Sequence, residues 1–114
     1  MHALIIEDEF LIATSIELVL RDCGFETFDL AGSREAAIAA ATKQCPDLIT
    51  ADVQLRPGCG IDTVRTICQQ PSTPVIFITG NAKMAREQMA RYPVIQKPFS
   101  QQTLTYTVAA ALAC

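Results

Sequence analysis

The chain has 114 residues, half of them apolar and 18% charged, with 9 Lys plus Arg against 12 Asp plus Glu and a formal net charge of −3. That length suits one domain with its own core, and the composition is too apolar for disorder, while the acidic balance argues against direct nucleic-acid binding. The uncharged stretch Ser100 to Cys114 is too short and too polar to span a membrane, and no basic region followed by an apolar run opens the chain, so the expected setting is the cytoplasm.

Apolar, strand-like runs alternate with stretches of helical composition. His2–Ile6 reads as the first strand and Phe10–Arg21 as the first helix, with Ile12, Ile16, Val19 and Cys23 at helical spacing and set to face the sheet. Cys23-Gly24 closes that helix with a residue that tolerates positive φ. The second strand is Phe25–Leu30, and Ser33 caps a second helix over Ser33–Lys43. Pro46 stops that helix ahead of the third strand, Leu48–Ala51, and a third helix covers Gly60–Gln69. Pro71 and Pro74 precede the fourth strand, Val75–Thr79, and the fourth helix, Ala82–Arg91, ends before Pro93. Val94–Gln96 is a short fifth strand and Gln101–Leu112 the last helix. The strands are mostly apolar throughout rather than alternating, as in a parallel sheet covered by helices on both faces. Five βα units with no shift in composition make a single domain over 1–114, an open doubly wound α/β sheet whose ligands lie outside the carboxyl ends of the strands.

Those ends bear the chemistry. Glu7-Asp8-Glu9 follows the first strand, Asp52 the third, and Lys97-Pro98 the fifth, while Thr79-Gly80 ends the fourth. The second strand runs into Leu30-Ala31-Gly32 and adds nothing reactive. Carboxylates brought together repel, so either their pKa values rise or a cation joins them. Oxygen-only ligands beside a lysine and a hydroxyl suit Mg²⁺ and a phosphoryl group, and a carboxylate can itself be the nucleophile. The chemistry implied is phosphoryl transfer onto Asp52. Glu9 is expected to face solvent. Five cysteines without a C-x-x-C pair read as reduced thiols, most of them small buried apolar residues, with Cys59 and Cys114 the two open to oxidation. The single histidine, His2, is not expected in a zinc site or a nucleophile-base pair.

Four stretches in order, Leu4-Ile5-Ile6-Glu7-Asp8-Glu9, Pro46-Asp47-Leu48-Ile49-Thr50-Ala51-Asp52, Pro74-Val75-Ile76-Phe77-Ile78-Thr79-Gly80 and Lys97-Pro98-Phe99, resemble the response-regulator receiver domain of two-component signalling over essentially the whole chain. The resemblance implies the flavodoxin-like strand order 2-1-3-4-5. It implies Asp52 as phosphoacceptor, Asp8 as the acid on Mg²⁺ directly, Glu7 as the acid that reaches the metal through water, and Gln54 as a backbone carbonyl ligand. Thr79 matches the switch hydroxyl and Lys97 the family lysine, with a cis bond before Pro98 common in the family. A histidine kinase or histidine phosphotransfer protein is the implied donor. The implied output is a protein partner on the face of the fourth helix, fifth strand and last helix, and the domain assists its own phosphorylation and dephosphorylation rather than acting as a conventional enzyme.

This chain also departs from the family pattern. The aromatic usual three residues before the lysine is Val94 here, and the nearest aromatic is Tyr92, so the usual Thr–aromatic coupling is expected to be absent or altered. Gly80 stands where Ala is common and leaves the cleft more open, and the proline usual four residues after the acceptor is displaced to Pro57, behind Arg56, while Gly60 keeps its place. This variant is similar to atypical receivers found among alphaproteobacteria. Gln54 and Asn81 either flank the phosphoryl group and tune its lifetime or are solvated loop amides. Tyr106 reads as a half-buried residue of an amphipathic helix, with partner contact as the alternative, and Arg86 and Arg91 as solvated. A second reading, a phosphorylation-independent interaction module, draws on Val94. An aspartate-based phosphatase is disfavoured because Gln54 stands where such enzymes place their second Asp, and a nucleotide site because no glycine-rich loop follows the first strand.

Overall fold

The computed structural model describes residues 1–55, 58–67 and 73–113. Elements alternate in the order β1 (His2–Ile6), α1 (Phe10–Asp22), β2 (Thr27–Ala31), α2 (Arg34–Lys43), β3 (Leu48–Ala51), α3 (Gly60–Ile67), β4 (Val75–Thr79), α4 (Ala82–Gln88), β5 (Val94–Gln96) and α5 (Gln101–Leu112). The strands form one sheet in the order β2-β1-β3-β4-β5, the order the receiver resemblance implies, and every pairing is parallel, as the apolar strands led us to expect.

Strand alternation sorts the apolar side chains into two cores. Leu4, Ile6, Ile49, Ala51, Val75 and Phe77 meet α2, α3 and α4 through Ala37, Ile61, Val64 and Ala85. Ala3, Ile5, Leu48, Ile76, Ile78 and Ile95 meet α1 and α5 through Ile16, Leu20, Leu104 and Val108. The central strands β1, β3 and β4 are buried along their length, whereas β2 and β5 are edges with partly exposed side chains.

Two boundaries differ from the expectation by more than one residue, each for a physical reason. Phe25 does not open β2. Gly24 takes φ 101°, its N–H donates to the Arg21 carbonyl, and the Phe25 N–H donates to the Leu20 carbonyl at 3.1 Å, which together close α1 in a Schellman cap. Phe25 therefore packs beside Leu20 as part of that cap, and the strand starts at Thr27. Within α1 the fully buried side chains are Ala13, Ile16, Val19 and Leu20, with Ile12 and Cys23 only half-buried. The fourth helix stops at Gln88 rather than Arg91. Tyr92 precedes Pro93, which disfavours helical backbone, and its ring instead meets Phe77 edge-on at 6.1 Å. The expected end of the third helix, Cys68-Gln69, and the Arg56-Pro57 loop lie outside the described residues.

Candidate functional site

Because all five strands are parallel, their carboxyl ends share one rim, and the ladder continues one residue past three of them. The Glu7 N–H donates to Ala31 O, the Asp52 N–H to Ile6 O and the Lys97 N–H to Thr79 O, each at 2.9 Å. These bonds fix the backbone from which the functional side chains project. Gly60 shapes the floor. Its N–H donates to the Val53 carbonyl at 2.7 Å, and a Cβ there would overlap the Asp52 carbonyl, so only glycine fits.

The centre is a lysine between two buried acids. Lys97 Nζ lies 2.6 Å from Glu7 Oε1 and 2.7 Å from Asp52 Oδ2. The second oxygen of each acid is held by the backbone: Glu7 Oε2 accepts the Glu9 N–H at 3.2 Å, and Asp52 Oδ1 accepts the Gln54 N–H at 3.1 Å. Glu7 is 4% exposed and Asp52 6%, so both carboxylates are out of bulk water. Burial pushes the Glu7 carboxyl above its ordinary range, and the Lys97 ammonium and Glu9 N–H draw it only partly back. For Lys97, burial pulls the ammonium down, but its hydrogen bonds to Asp52 and Glu7 outweigh that and raise it. The peptide bond between Lys97 and Pro98 is cis.

Asp8 joins these two acids: carboxylate oxygens of Glu7, Asp8 and Asp52 all lie within 4.8 Å of one another. Three carboxylates against one ammonium leave two negative charges in the cleft. A divalent cation with a preference for oxygen ligands fits that donor set, and Mg²⁺ is the commonest such ion beside phosphate chemistry.

The structure thus brings Glu7, Asp8, Asp52 and Lys97 together. Thr79 ends β4 on the same rim, buried, with its Oγ1 accepting the Asn81 N–H at 3.1 Å. Gln54 is exposed and its strand-like backbone is bridged to Cys59. Asn81 is no free loop amide: its Oδ1 accepts the Met84 N–H at 3.3 Å and caps α4. Glu9 is exposed, as expected. Sequence reasoning missed Gln96, whose side chain reaches from β5 to the β4–α4 loop. The available signal was an amide closing an otherwise apolar strand. It also underrated His2, whose buried ring bonds Thr27 Oγ1 at 2.8 Å and Asp29 Oδ2 at 2.9 Å at the opposite end of the sheet. Tyr106 is 77% exposed, not half-buried, because Leu104 and Val108 define the inner face of α5. Of the described cysteines, Cys45 is exposed and Cys23 and Cys59 are half-buried, so none is the fully buried residue expected.

A five-stranded parallel sheet in this order, with paired acids and a lysine at its carboxyl rim, defines a receiver, and the chain belongs to the response regulator receiver domain family, whose model matches residues 3–109. It is 34% identical over 113 residues to the phyllosphere-induced regulator PhyR of Methylorubrum extorquens, covering 96% of this chain and 42% of that protein. The solution structure of the receiver domain of Erythrobacter litoralis PhyR is 37% identical with a TM-score of 0.88, covering 98% of this chain and 89% of that one. The crystal structure of a Bartonella quintana PhyR variant, described as an anti-anti-sigma factor, is 34% identical with a TM-score of 0.89, covering 98% of this chain and 48% of that one. The chain spans half or less of the length of the curated relatives named PhyR and PdtaR. Among the described residues, no helix is long and apolar enough to cross a membrane.

Proposed function

We propose that this chain is a phosphoryl-accepting signalling switch with Asp52 as the acceptor. The observation that supports it most is the Lys97 ammonium bridging Asp52 and Glu7 beside Asp8 at the rim of a receiver fold. A carboxylate oxygen of Asp52 forms the new P–O bond while the P–N bond of a phosphohistidine breaks and the imidazole leaves. Glu7, Asp8 and Asp52, with the backbone carbonyl of Gln54, would hold Mg²⁺, which when bound neutralises charge on the phosphoryl oxygens. Lys97 orients Asp52 and supplies a fixed positive charge, and Thr79 supplies a hydroxyl donor to the transferred group.

The donor in this reading is a histidine kinase or histidine phosphotransfer protein in the cytoplasm, acting on a receiver unit over residues 1–114. Its output is a protein partner met by α4, β5 and α5, where Tyr106 stands exposed. The likeness to an anti-anti-sigma factor points to a partner in control of sigma-factor activity. The test is incubation with acetyl phosphate and Mg²⁺. Wild type should gain one acid-labile phosphoryl group, seen by intact-mass measurement, and Asp52→Asn should gain none. A modified Asp52→Asn protein would remove Asp52 from this role. The competing module without phosphorylation draws on Val94, which leaves Tyr92 as the nearest aromatic, its ring packed edge-on against Phe77. It predicts equal partner affinity before and after modification.

A further inference from the structure

Gln96 ties the end of β5 to the loop between β4 and α4, a contact that the transfer chemistry does not use. Its Nε2 donates to the Gly80 carbonyl at 2.9 Å and the Lys97 carbonyl at 3.1 Å, and its Oε1 accepts the Ala82 N–H at 3.2 Å. Donor meets carbonyl and acceptor meets N–H, so the partners fix the orientation of the amide. As the first residue of α4, Ala82 has no intrahelical acceptor for its N–H, and Gln96 supplies one.

One side chain therefore holds the backbone on both sides of Asn81, whose own N–H lies on Thr79 Oγ1. Any movement of the Thr79 hydroxyl toward a group on Asp52 strains that Asn81 bond or moves the segment that Gln96 restrains. Gln96 is exposed and contributes to neither apolar core, so its bonds matter to the loop rather than to the fold. We infer that Gln96 is a positioning residue that holds residues 80–82 in their unphosphorylated place and sets how readily Thr79 reaches the phosphoryl group. This rests on Asp52 being the phosphoacceptor.

The test compares wild type with Gln96→Leu and Gln96→Asn, the second keeping an amide too short to span the gap. Two measurements are made on each: hydrogen exchange of the Ala82 amide in the unmodified protein, and the rate of phosphorylation by acetyl phosphate with Mg²⁺. Loss of side-chain bonds to a backbone segment should speed Ala82 exchange about fivefold in both variants, leave strand amides unchanged, and raise the phosphorylation rate by a similar factor. A residue with a merely structural role would instead loosen amides throughout and leave the rate equal or lower. If wild type is phosphorylated but either the Ala82 exchange or the rate is the same in the variants, the inference falls and the reading of Asp52 stands. If wild type takes no phosphoryl group, both fall.

Discussion

Glu7 bears a cost that its neighbours only partly offset. Its carboxyl is raised by burial, so the folded state holds that proton more tightly than the unfolded chain does. The sign follows: this preference stabilises the fold fully below the ordinary carboxylate value and is lost as pH rises through the raised one, so ionised Glu7 weighs against the metal-free fold at neutral pH. Lys97, raised above the ordinary lysine value, favours the fold at every pH below that value and ceases to do so only in alkali. In the absence of divalent cations, Glu7→Gln should therefore melt at a higher temperature than wild type at pH 7, and the gap should close below pH 4.5. A variant that melts lower at pH 7 would show that the bond to Lys97 outweighs burial. Thr50 poses a simpler case. Its hydroxyl is buried in β3 without a hydrogen-bond partner among the described residues, between Ile5 and Ile76 in the ladder. Thr50→Val keeps the branched shape and removes the stranded group, so urea denaturation should find it about 1 kcal/mol more stable. Destabilisation would mean that the hydroxyl has a partner after all.

At the level of elements, the β4–α4 loop separates what Gly80 does from what it merely permits. Gly80 does not have positive φ, and among the described residues a Cβ placed on it would meet nothing within 4 Å. Gly80→Ala should leave the fold and the Gln96 bond to its carbonyl intact and raise stability by about 0.4–1 kcal/mol, by restricting the unfolded chain. Equilibrium unfolding in urea checks this, and a loss of stability would show that the loop visits conformations only glycine allows. Gly60 is the opposite case, filled to contact by the Asp52 backbone. How much of this was legible follows from range. Strand existence, the parallel character of the sheet and the acids at the rim rest on short apolar runs and on residues next to strand ends, so β1, β3, β4 and β5 begin and end where the sequence put them, while the order of the strands came only from the family resemblance. Where a residue answers to a distant partner, local pattern misleads: Phe25 is spent in the cap of α1, Tyr92 leaves the helix for Phe77, and Gln96 spans to a loop 16 residues earlier. The spacing that placed Ile12 and Cys23 on the inner face of α1 holds in part: both pack against the core at half burial, with Cys23 as the C-cap, while Ile16, Val19 and Leu20 are buried.

Over the whole molecule, the net charge of −3 is unevenly used. Two uncompensated charges sit in the rim cleft, and next to them α1 presents apolar side chains to solvent, with Leu11 80% and Leu18 61% exposed. Leu18 and Ile12 line a cleft of about 570 Å³ that reaches Lys97, Pro98 and Phe99. If Asp52 is the acceptor proposed above, a small phosphodonor would need only the rim, whereas a protein donor would have to bring its phosphohistidine there, and the exposed side of α1 with the β5–α5 connection is an apolar surface beside it. The two kinds of donor therefore separate docking from chemistry. Leu18→Ser removes an exposed apolar side chain outside both cores, so the sheet and its rim should be unaltered. Transfer from a phosphorylated histidine phosphotransfer protein should slow by about tenfold, the loss expected of a central apolar contact, while phosphorylation by acetyl phosphate stays within about twofold of wild type. Equal slowing with both donors would show that Leu18 supports the acids themselves, and unchanged transfer from the protein donor would move its docking surface off α1.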